Sequence, residues 1–589
     1  MLLKKLLAYI TFSFFMLFAH AQYYLRGEIK DEKNEYLQNV KITLHSDKLL
    51  YYSGSSGSFG ISSAKSIDTL TLVLDGYETQ TIAIKADVYL QAVMKTTSSN
   101  SSKNRPKLIS ITNDQNRSSR YNWFVSDESY FSLVENEVVH ARKFPNTGFS
   151  LNINKASYSN VRRFLNMKSM VPPDAVRVEE LLNYFNLNYI EPDKQTDFKI
   201  ESNFSTCPWN QTSRLFYLNI NARKLDMEKV PPSNLVFLID ASGSMDLPNR
   251  LPLVKAAFQL LVKNLREKDT VSIVIYGGTV AVWLQPTSGA EKQKIIRSIE
   301  ELSAQGDTPG ESAIRMAYQL ARSTFIKNGN NRVILATDGD FNVGETTEKA
   351  LEDLITRERQ SGVYLTCLGV GMGNFKDSKL ETLAKRGNGN YAYLDDIHEA
   401  EKVLVKEVTQ TFYAIADDVF LNVHFNPALV KEYRLIGFDN KRDAVADSSG
   451  KLEGGEIGSG NSVLALFEIT PEESLFTNPD ASLADVELRY TPVNTKEPKL
   501  LQYGCSSRCD SFKTISKDLQ FGAAVALFGL KLRQSKYVNN TDWLNVEQLA
   551  ASTYNPNDYL QNEFMNLAGA AKKLYSSNKK KKRKKAADD

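Results

Sequence analysis

The sequence predicts a multi-domain α/β and β protein: a doubly wound parallel-sheet module inserted in, or flanked by, an antiparallel β-sandwich, with a small β-sandwich ahead of it and a helical segment behind it. Three observations carry that prediction. From about residue 230 to 412, apolar runs that read as buried strands alternate with amphipathic helical stretches, the pattern of a parallel sheet covered on both faces. On either side of that stretch short period-two strands reappear, and these must pair with one another or leave open edges. Between Tyr24 and Lys95 alternating strands are punctuated by Gly, Asp and Asn. At 589 residues the chain is too long for one core, which agrees with several domains.

The first segment reads as a targeting signal. Lys4 and Lys5 precede the apolar stretch Leu6 to Phe18, and Ala19-His20-Ala21 before Gln22 forms an A-x-A-type cleavage site, so residues 1–21 are expected to be a signal peptide and the rest exported. Nothing downstream reaches the ~20 apolar residues of a membrane helix, and the run Phe521 to Leu530 fits a buried helix instead. No cysteine stands at the cleavage site, which argues against a lipid anchor.

Residues 22–97 hold the strands LRGEIKDEKNEYLQNVKITL, SSGSFGI and TLTLVLDGYETQTIAI. With Gly57-Ser58-Phe59 and Asp75-Gly76-Tyr77 at its turns, this part resembles the carboxypeptidase-regulatory-like β-sandwich at the start of many exported Bacteroidetes-type proteins. The resemblance implies a spacer or docking role, and a periplasmic, outer-envelope or extracellular place in a Gram-negative bacterium. The polar stretch Thr96 to Arg120, with TTSSNSSKNR at its head, cannot bury enough apolar surface to order itself, and residues 98–128 read as a linker.

Residues 129–229 begin with helices. Val161, Phe164 and Leu165, then Val178, Leu181, Leu182 and Phe185, recur at helical spacing, and Pro172-Pro173 is expected to open the second helix. Strands follow in FKIESNFSTCPWN and SRLFYLNINA.

The module at 230–412 runs LVFLID, a helix from Leu253 to Leu265, TVSIVIYG, a helix from Glu291 to Leu302, a turn QGDTPG with its helix, RVILATD, a helix from Thr347 to Gln360, YLTCLGVG, and a helix from Ser378 to Lys385. GNGNYAYLDD supplies a last short strand, and a helix to Thr411 closes the module. The most informative string is LVFLIDASGSM, where a buried strand ends in Asp240, Ser242 and Ser244. A carboxylate and two hydroxyls on one turn supply half an oxygen shell for a divalent cation. Thr308 in QGDTPG and Asp338 at the end of RVILATD complete it, and at least two of the three loops sit at the carboxyl ends of strands, where open α/β sheets bind ligands.

These three segments, in this order, resemble the metal-ion-dependent adhesion site of von Willebrand factor A domains, whose fold is Rossmann-like. The resemblance implies that Ser242, Ser244 and Thr308 bind Mg²⁺ directly, that Asp240 and Asp338 act mainly through water, and that one position is left for an acidic group of a partner. Oxygen ligands suit Mn²⁺ or Ca²⁺ as well. Asp307 departs from the family, which usually has a small residue there. It is either a solvated turn residue or an added carboxylate that favours metal and weakens attraction for an acidic partner. The block 149–185 resembles the N-terminal flank of one exported bacterial family of such proteins, but Asn152, Asn154 and Lys155 stand where that family has D-V-D-x-A-S-Y.

Residues 413–575 carry the strands 418–425, 431–438, 462–469 and 484–490, then helical patterns in DLQFGAAVALFGLKLRQSKY, WLNVEQLA and DYLQNEFMNLAGAAKKLY, which resemble the C-terminal flank of the same family. The tail, 576–589, carries seven positive charges from Lys579 to Lys585 and reads as a solvated disordered end or a weak contact with anionic envelope surface. Setting aside this run, Asp588, Asp589 and the two N-terminal lysines, the net charge of +3 becomes about −4, so the body carries no nucleic-acid footprint.

Other chemistries lack their residues. Cys505 and Cys509 in GCSSRCD are close enough for a local disulfide, Cys367 falls in an apolar strand, and Cys207 stands alone, so no thiol metal site is expected. His45, His140, His398 and His424 are scattered without a catalytic neighbourhood. The expectation is therefore a non-enzymatic, metal-dependent protein–protein interaction module that captures an Asp or Glu of another protein. The alternatives are an envelope scaffold with a structural metal and a metal-dependent hydrolase, the last without a positioned acid or base beyond Asp307 and Glu311.

Overall fold

The computed structural model describes residues 23–95 and 128–588, apart from 33, 39, 47–49, 55–56, 64, 75–76, 87, 227, 307–309, 340–347, 374, 439–453 and 477–480. The expected signal peptide and linker lie outside the described residues. The chain divides into two compact units at residue 120.

The first unit is a small β-sandwich. Strands β1 (Tyr23–Asp31), β4 (Ser58–Ser63) and β7 (Leu90–Met94) form one sheet in the order β4-β1-β7. The other sheet runs β3-β2-β5-β6, from β2 (Lys41–Leu44), β3 (Leu50–Tyr52), β5 (Ile67–Val73) and β6 (Gln80–Lys85). Period-two alternation turns Leu25, Ile29, Ile42, Leu70 and Leu72 into one core. Gly57 has φ +68°, and a Cβ there would meet Ile29 O at 2.4 Å, so this turn admits only glycine.

In the second unit the parallel module sits inside a frame. Its strands are β12 (Ser233–Asp240), β13 (Thr270–Gly277), β14 (Thr279–Ser288), β15 (Asn330–Thr337), β16 (Tyr364–Gly369) and β17 (Tyr391–Tyr393), in the order β14-β13-β12-β15-β16-β17. Five are parallel. β14 is antiparallel to β13, an edge hairpin turned at Gly277-Gly278 that was not expected from the sequence. One face packs Leu235, Phe237 and Ile239 against α3 (Leu251–Lys263) and α4 (Lys292–Glu300). The other packs Val236 and Leu238 against α5 (Gly310–Ser323), α6 (Glu348–Arg359) and α7 (Asp377–Arg386). The closing helix is broken into α8 (Ile397–Glu401), a π-helical turn (Lys402–Lys406) and α9 (Val408–Phe412).

The frame is an antiparallel sandwich built from chain on both sides of the module. One sheet runs β10-β11-β21-β19-β8, from β8 (Val139–His140), β10 (Phe198–Thr206), β11 (Arg214–Ala222), β19 (Val430–Ile436) and β21 (Ser462–Pro471). β11 lies against β21 from Arg214↔Ile469 to Asn221↔Ser462, so strands before the module hydrogen-bond strands after it. The second sheet runs β20-β18-β22-β23, from β18 (Ala414–Phe425), β20 (Gly455–Gly458), β22 (Ser482–Pro492) and β23 (Lys499–Ser506), with β9 (Asn146–Ser150) also on β18.

The first of these sheets is covered twice. Phe216, Leu218 and Phe467 face the sandwich interior. Leu215, Tyr217, Leu464 and Leu466 face a helical layer of α1 (Ala156–Asn166), α2 (Val178–Leu182), α10 (Lys517–Leu532), α11 (Trp543–Thr553) and α12 (Tyr559–Asp588). Two details correct the sequence expectation. Pro172-Pro173 opens a separate 3₁₀ turn (Pro173–Ala175), and α2 starts only at Val178, because the chain stays extended at Val176 and Arg177. The basic run Lys579–Lys585 continues α12 instead of breaking from it, consistent with the good helix propensity of Lys and Arg.

Buried guanidiniums tie module to frame. Arg162 on α1 donates to Asp395 Oδ2 (2.8 Å), Glu399 Oε2 (2.7 Å) and Glu563 Oε1 of α12 (3.0 Å). Arg177 pairs with Asp377 and Glu381 of α7. Arg332, fully buried on β15, donates to Glu456 Oε1 of β20 at 2.9 Å. No described helix is long and apolar enough to cross a membrane. All four cysteines are free thiols, so the Cys505–Cys509 disulfide does not form here; Cys505 is buried on β23 and Cys509 lies partly covered beyond it.

Candidate metal centre

β12 is buried along its whole length because it is the central strand with helices on both faces, and this delivers Asp240 to the sheet's carboxyl end. β15 runs beside it in parallel with Ile239↔Ala336, so Thr337 lies opposite Asp240, and Thr337 Oγ1 donates to Asp240 Oδ2 at 2.8 Å. The chain leaves β12 toward α3 on one face and reaches β15 from α5 on the other, so the crevice between these strands is a topological switch point.

The turn after β12 is held from within and from beside. Asp240 Oδ1 accepts from Ser242 N (3.0 Å), Ala241 N donates to Tyr276 O (2.7 Å), Gln305 N to Ala241 O (2.6 Å) and Gly243 N to Gly306 O (3.0 Å). Close backbone approach explains the glycines here. Gly306 has φ +75°, and a Cβ on it would meet Gly278 Cα at 2.4 Å. The described part of the QGDTPG turn is thus fastened to the Asp240 loop. Asp307 and Thr308 themselves lie outside the described residues.

Four of the five expected ligands converge. Ser242 Oγ is 3.1 Å from Ser244 Oγ, and Ser244 Oγ donates to Asp338 Oδ2 at 2.8 Å. Asp240, Ser242 and Asp338 are buried. Burial, and after it the charge of Asp338, pushes the Asp240 carboxyl up to about 6. Two buried carboxylates that raise each other's energy, beside two neutral hydroxyls, are a donor set that a hard divalent cation fits. Among the described residues no group of three or more His, Cys, Asp or Glu converges as a candidate metal site, here or elsewhere; the donors at this turn are two carboxylates and two hydroxyls.

Sequence reasoning missed Arg250. This residue, 7% exposed just ahead of α3, donates through Nη1 to Asp338 Oδ2 (2.6 Å) and Ser244 O (2.7 Å), and through Nη2 to Met372 O (3.0 Å). Gly371, at φ +83°, leaves room for it, since a Cβ there would meet Arg250 Nε at 2.7 Å. The only signal was a lone arginine in NRLP between the serine turn and the helix.

A profile described as von Willebrand factor type A domain matches residues 234–406. A profile described as von Willebrand factor matches 124–217, and one described as Uncharacterized protein YfbK, C-terminal, matches 410–574. Uncharacterized protein YfbK of Escherichia coli (strain K12) is 39% identical over 463 residues, 74% of this chain and 80% of that protein. The chain belongs to the YfbK family. It is a von Willebrand factor A domain protein, of a class commonly used as metal-dependent protein–protein interaction modules. Inter-alpha-trypsin inhibitor heavy chain H4 of Homo sapiens is 26% identical over 306 residues, 49% of this YfbK-family chain and 31% of that protein. Among solved structures, a von Willebrand factor type A protein from Catenulispora acidiphila has a TM-score of 0.38 at 16% identity, covering 62% of this chain and 89% of that one.

Proposed function

We propose that this YfbK-family protein is an exported, non-enzymatic interaction module that binds Mg²⁺ at Asp240, Ser242, Ser244, Thr308 and Asp338 and through it captures an acidic side chain of another envelope protein. The observation that carries the reading is the convergence of Ser242 Oγ, Ser244 Oγ and Asp338 Oδ2 within 3.1 Å steps at the switch point of the sheet. Ser242, Ser244 and Thr308 would hold the metal directly, with Asp240 and Asp338 behind them. Neutral hydroxyl ligands leave a bound cation electrophilic, so it favours an anionic sixth ligand. The exposed side chains of Leu247 and Met372, on the two loops that Arg250 joins, suit a protein partner better than a bare small anion.

The test is a pull-down from envelope extract with wild type, Asp240→Ala and Thr308→Ala, each with and without chelator. Capture lost on chelation and in both variants, and competed by a free acidic peptide, is the expected result. Identical captured sets in all arms would overturn the reading. Mg²⁺ that raises the melting temperature without any acid-competed capture would assign the metal to scaffolding. Metal-dependent turnover of a phosphate ester, lost in Asp240→Ala, would assign it to hydrolysis.

A further inference from the structure

The outer face of the second sandwich sheet carries two ladders of polar groups set by strand register. His424 on β18 lies between Asn146 on β9 and Asp485 on β22, and Asp485 is opposite Gly504 on β23. One pleat along, Asn422 is opposite Glu487, which is opposite Gln502. The intervening residues, Val423, Val486 and Cys505 among them, point into the sandwich core, so the ladder residues all face outward. They floor a trough of about 520 Å³.

The composition of this floor is unusual for a sheet. Asn and Asp are disfavoured in strands, and Glu is mildly so, yet Asn422, Asp485 and Glu487 occupy mid-strand positions in the adjacent strands β18 and β22. Local preference given up at one place points to function there. All six side chains end in a planar group with two hydrogen-bonding atoms. Several are already oriented by their neighbours: His424 Nδ1 lies 2.8 Å from Asn146 Oδ1, Gln502 Nε2 donates to Glu487 Oε1 at 3.0 Å, and Ser482 Oγ donates to Asp485 Oδ1 at 3.2 Å. Asn422 Oδ1, sunk in the floor, makes no hydrogen bond among the described residues. Gly504 keeps one end open, since a Cβ there would meet nothing nearer than Asp485 Oδ1 at 3.8 Å.

We propose that this trough binds a neutral oligosaccharide. Planar two-headed groups pair with vicinal hydroxyls, each of which both donates and accepts. A grid with about 4.8 Å between strands and roughly 7 Å between same-face residues presents such groups at the scale of consecutive sugar rings. Each of the two carboxylates has one oxygen engaged by a neutral donor, Gln502 or Ser482, and keeps acceptor capacity for a sugar hydroxyl. The site lies on the frame and involves none of the metal-centre residues.

The full-length protein is applied to an array of neutral glycans covering glucans, mannans, galactans and N-acetylhexosamine polymers, with chelator present throughout. Retention on at least one glycan is expected, with affinity falling by about tenfold or more in Glu487→Ala/Gln502→Ala and in Asn422→Ala, and unchanged in Asp240→Ala. Melting curves identify any variant that fails to fold; Gln502→Ala alone, an exposed change, serves if the others do. Retention on no glycan, or retention undiminished in folded variants, would overturn the proposal.

Discussion

Arg250 Nη1 donates to Asp338 Oδ2 at 2.6 Å, the same oxygen that accepts from Ser244 Oγ. A fixed cation therefore balances one carboxylate of the candidate metal centre, while Asp240 beside it relies on hydrogen bonds from Thr337 and Ser242. Arg250→Ala leaves Asp338 buried and less compensated. The expected cost is about 3–5 kcal/mol in chelator. Calorimetric melting with and without Mg²⁺ checks it: added Mg²⁺ should raise the variant's melting temperature more than the wild type's, and an equal rise would show that Arg250 does not serve the site's charge balance.

Gly306→Ala addresses the geometry of the same site. The new Cβ would press on Gly278 Cα at 2.4 Å and force a φ of +75° on alanine, so the turn that leads to Thr308 must shift. Isothermal titration should show Mg²⁺ affinity reduced by about tenfold or more, which is roughly 1.4 kcal/mol. An unchanged affinity would separate that turn from metal binding.

The Arg332–Glu456 pair predicts a pH effect. Burial first, only partly offset by Arg332, pushes the Glu456 carboxyl up to about 7. A folded value above the ordinary 4.5 means that the folded chain holds this proton more tightly than the unfolded one, so the contribution is full below about 4.5 and lost as pH rises through about 7. Denaturant titrations across that window should show wild type losing more stability with rising pH than Glu456→Gln, by on the order of 1–3 kcal/mol. Parallel curves would exclude Glu456 as the titrating group.

Arg162 holds three carboxylates, on the loop before α8, on α8 and on α12, so its loss should be felt at both ends of the network. Arg162→Met is expected to cost about 3–5 kcal/mol and to speed amide exchange in α8 and the first turns of α12 together. Exchange that rises in only one of them would deny the joint role.

How much of this was legible in the sequence follows from which forces are local. Asp240, Ser242, Ser244 and Asp338 were readable because each follows an apolar run long enough to declare a buried strand, and a strand end fixes where its next residues go. The insertion was readable because short period-two strands recur on both sides of the module and would leave open edges unless they met; β10 and β11 pair with each other, and the free edge of β11 is closed by β21 from beyond the module. Arg250 was not, because its three acceptors lie 6, 88 and 122 residues away along the chain and no period in the sequence links them. β14 carries an apolar run from Val280 to Leu284, but its partner lies across a two-glycine hairpin that reads equally well as a loop. The outer-face ladders were likewise invisible, since polar residues in alternating strands look like ordinary solvated positions until register sets them side by side.

The pairing of Asn221 with Ser462 has a temporal consequence. β11 leaves the ribosome with β10 already made but roughly 240 residues before β21, its neighbour on the other edge, a delay on the order of 10–50 s at ordinary elongation rates. Until then that edge is a sticky nascent strand, and the inserted module, whose own pairings close within it, can fold before the frame does. Birth order therefore makes the inserted α/β cassette the early folder and the surrounding sandwich the late one, the reverse of what a scaffold drawn around a guest would suggest.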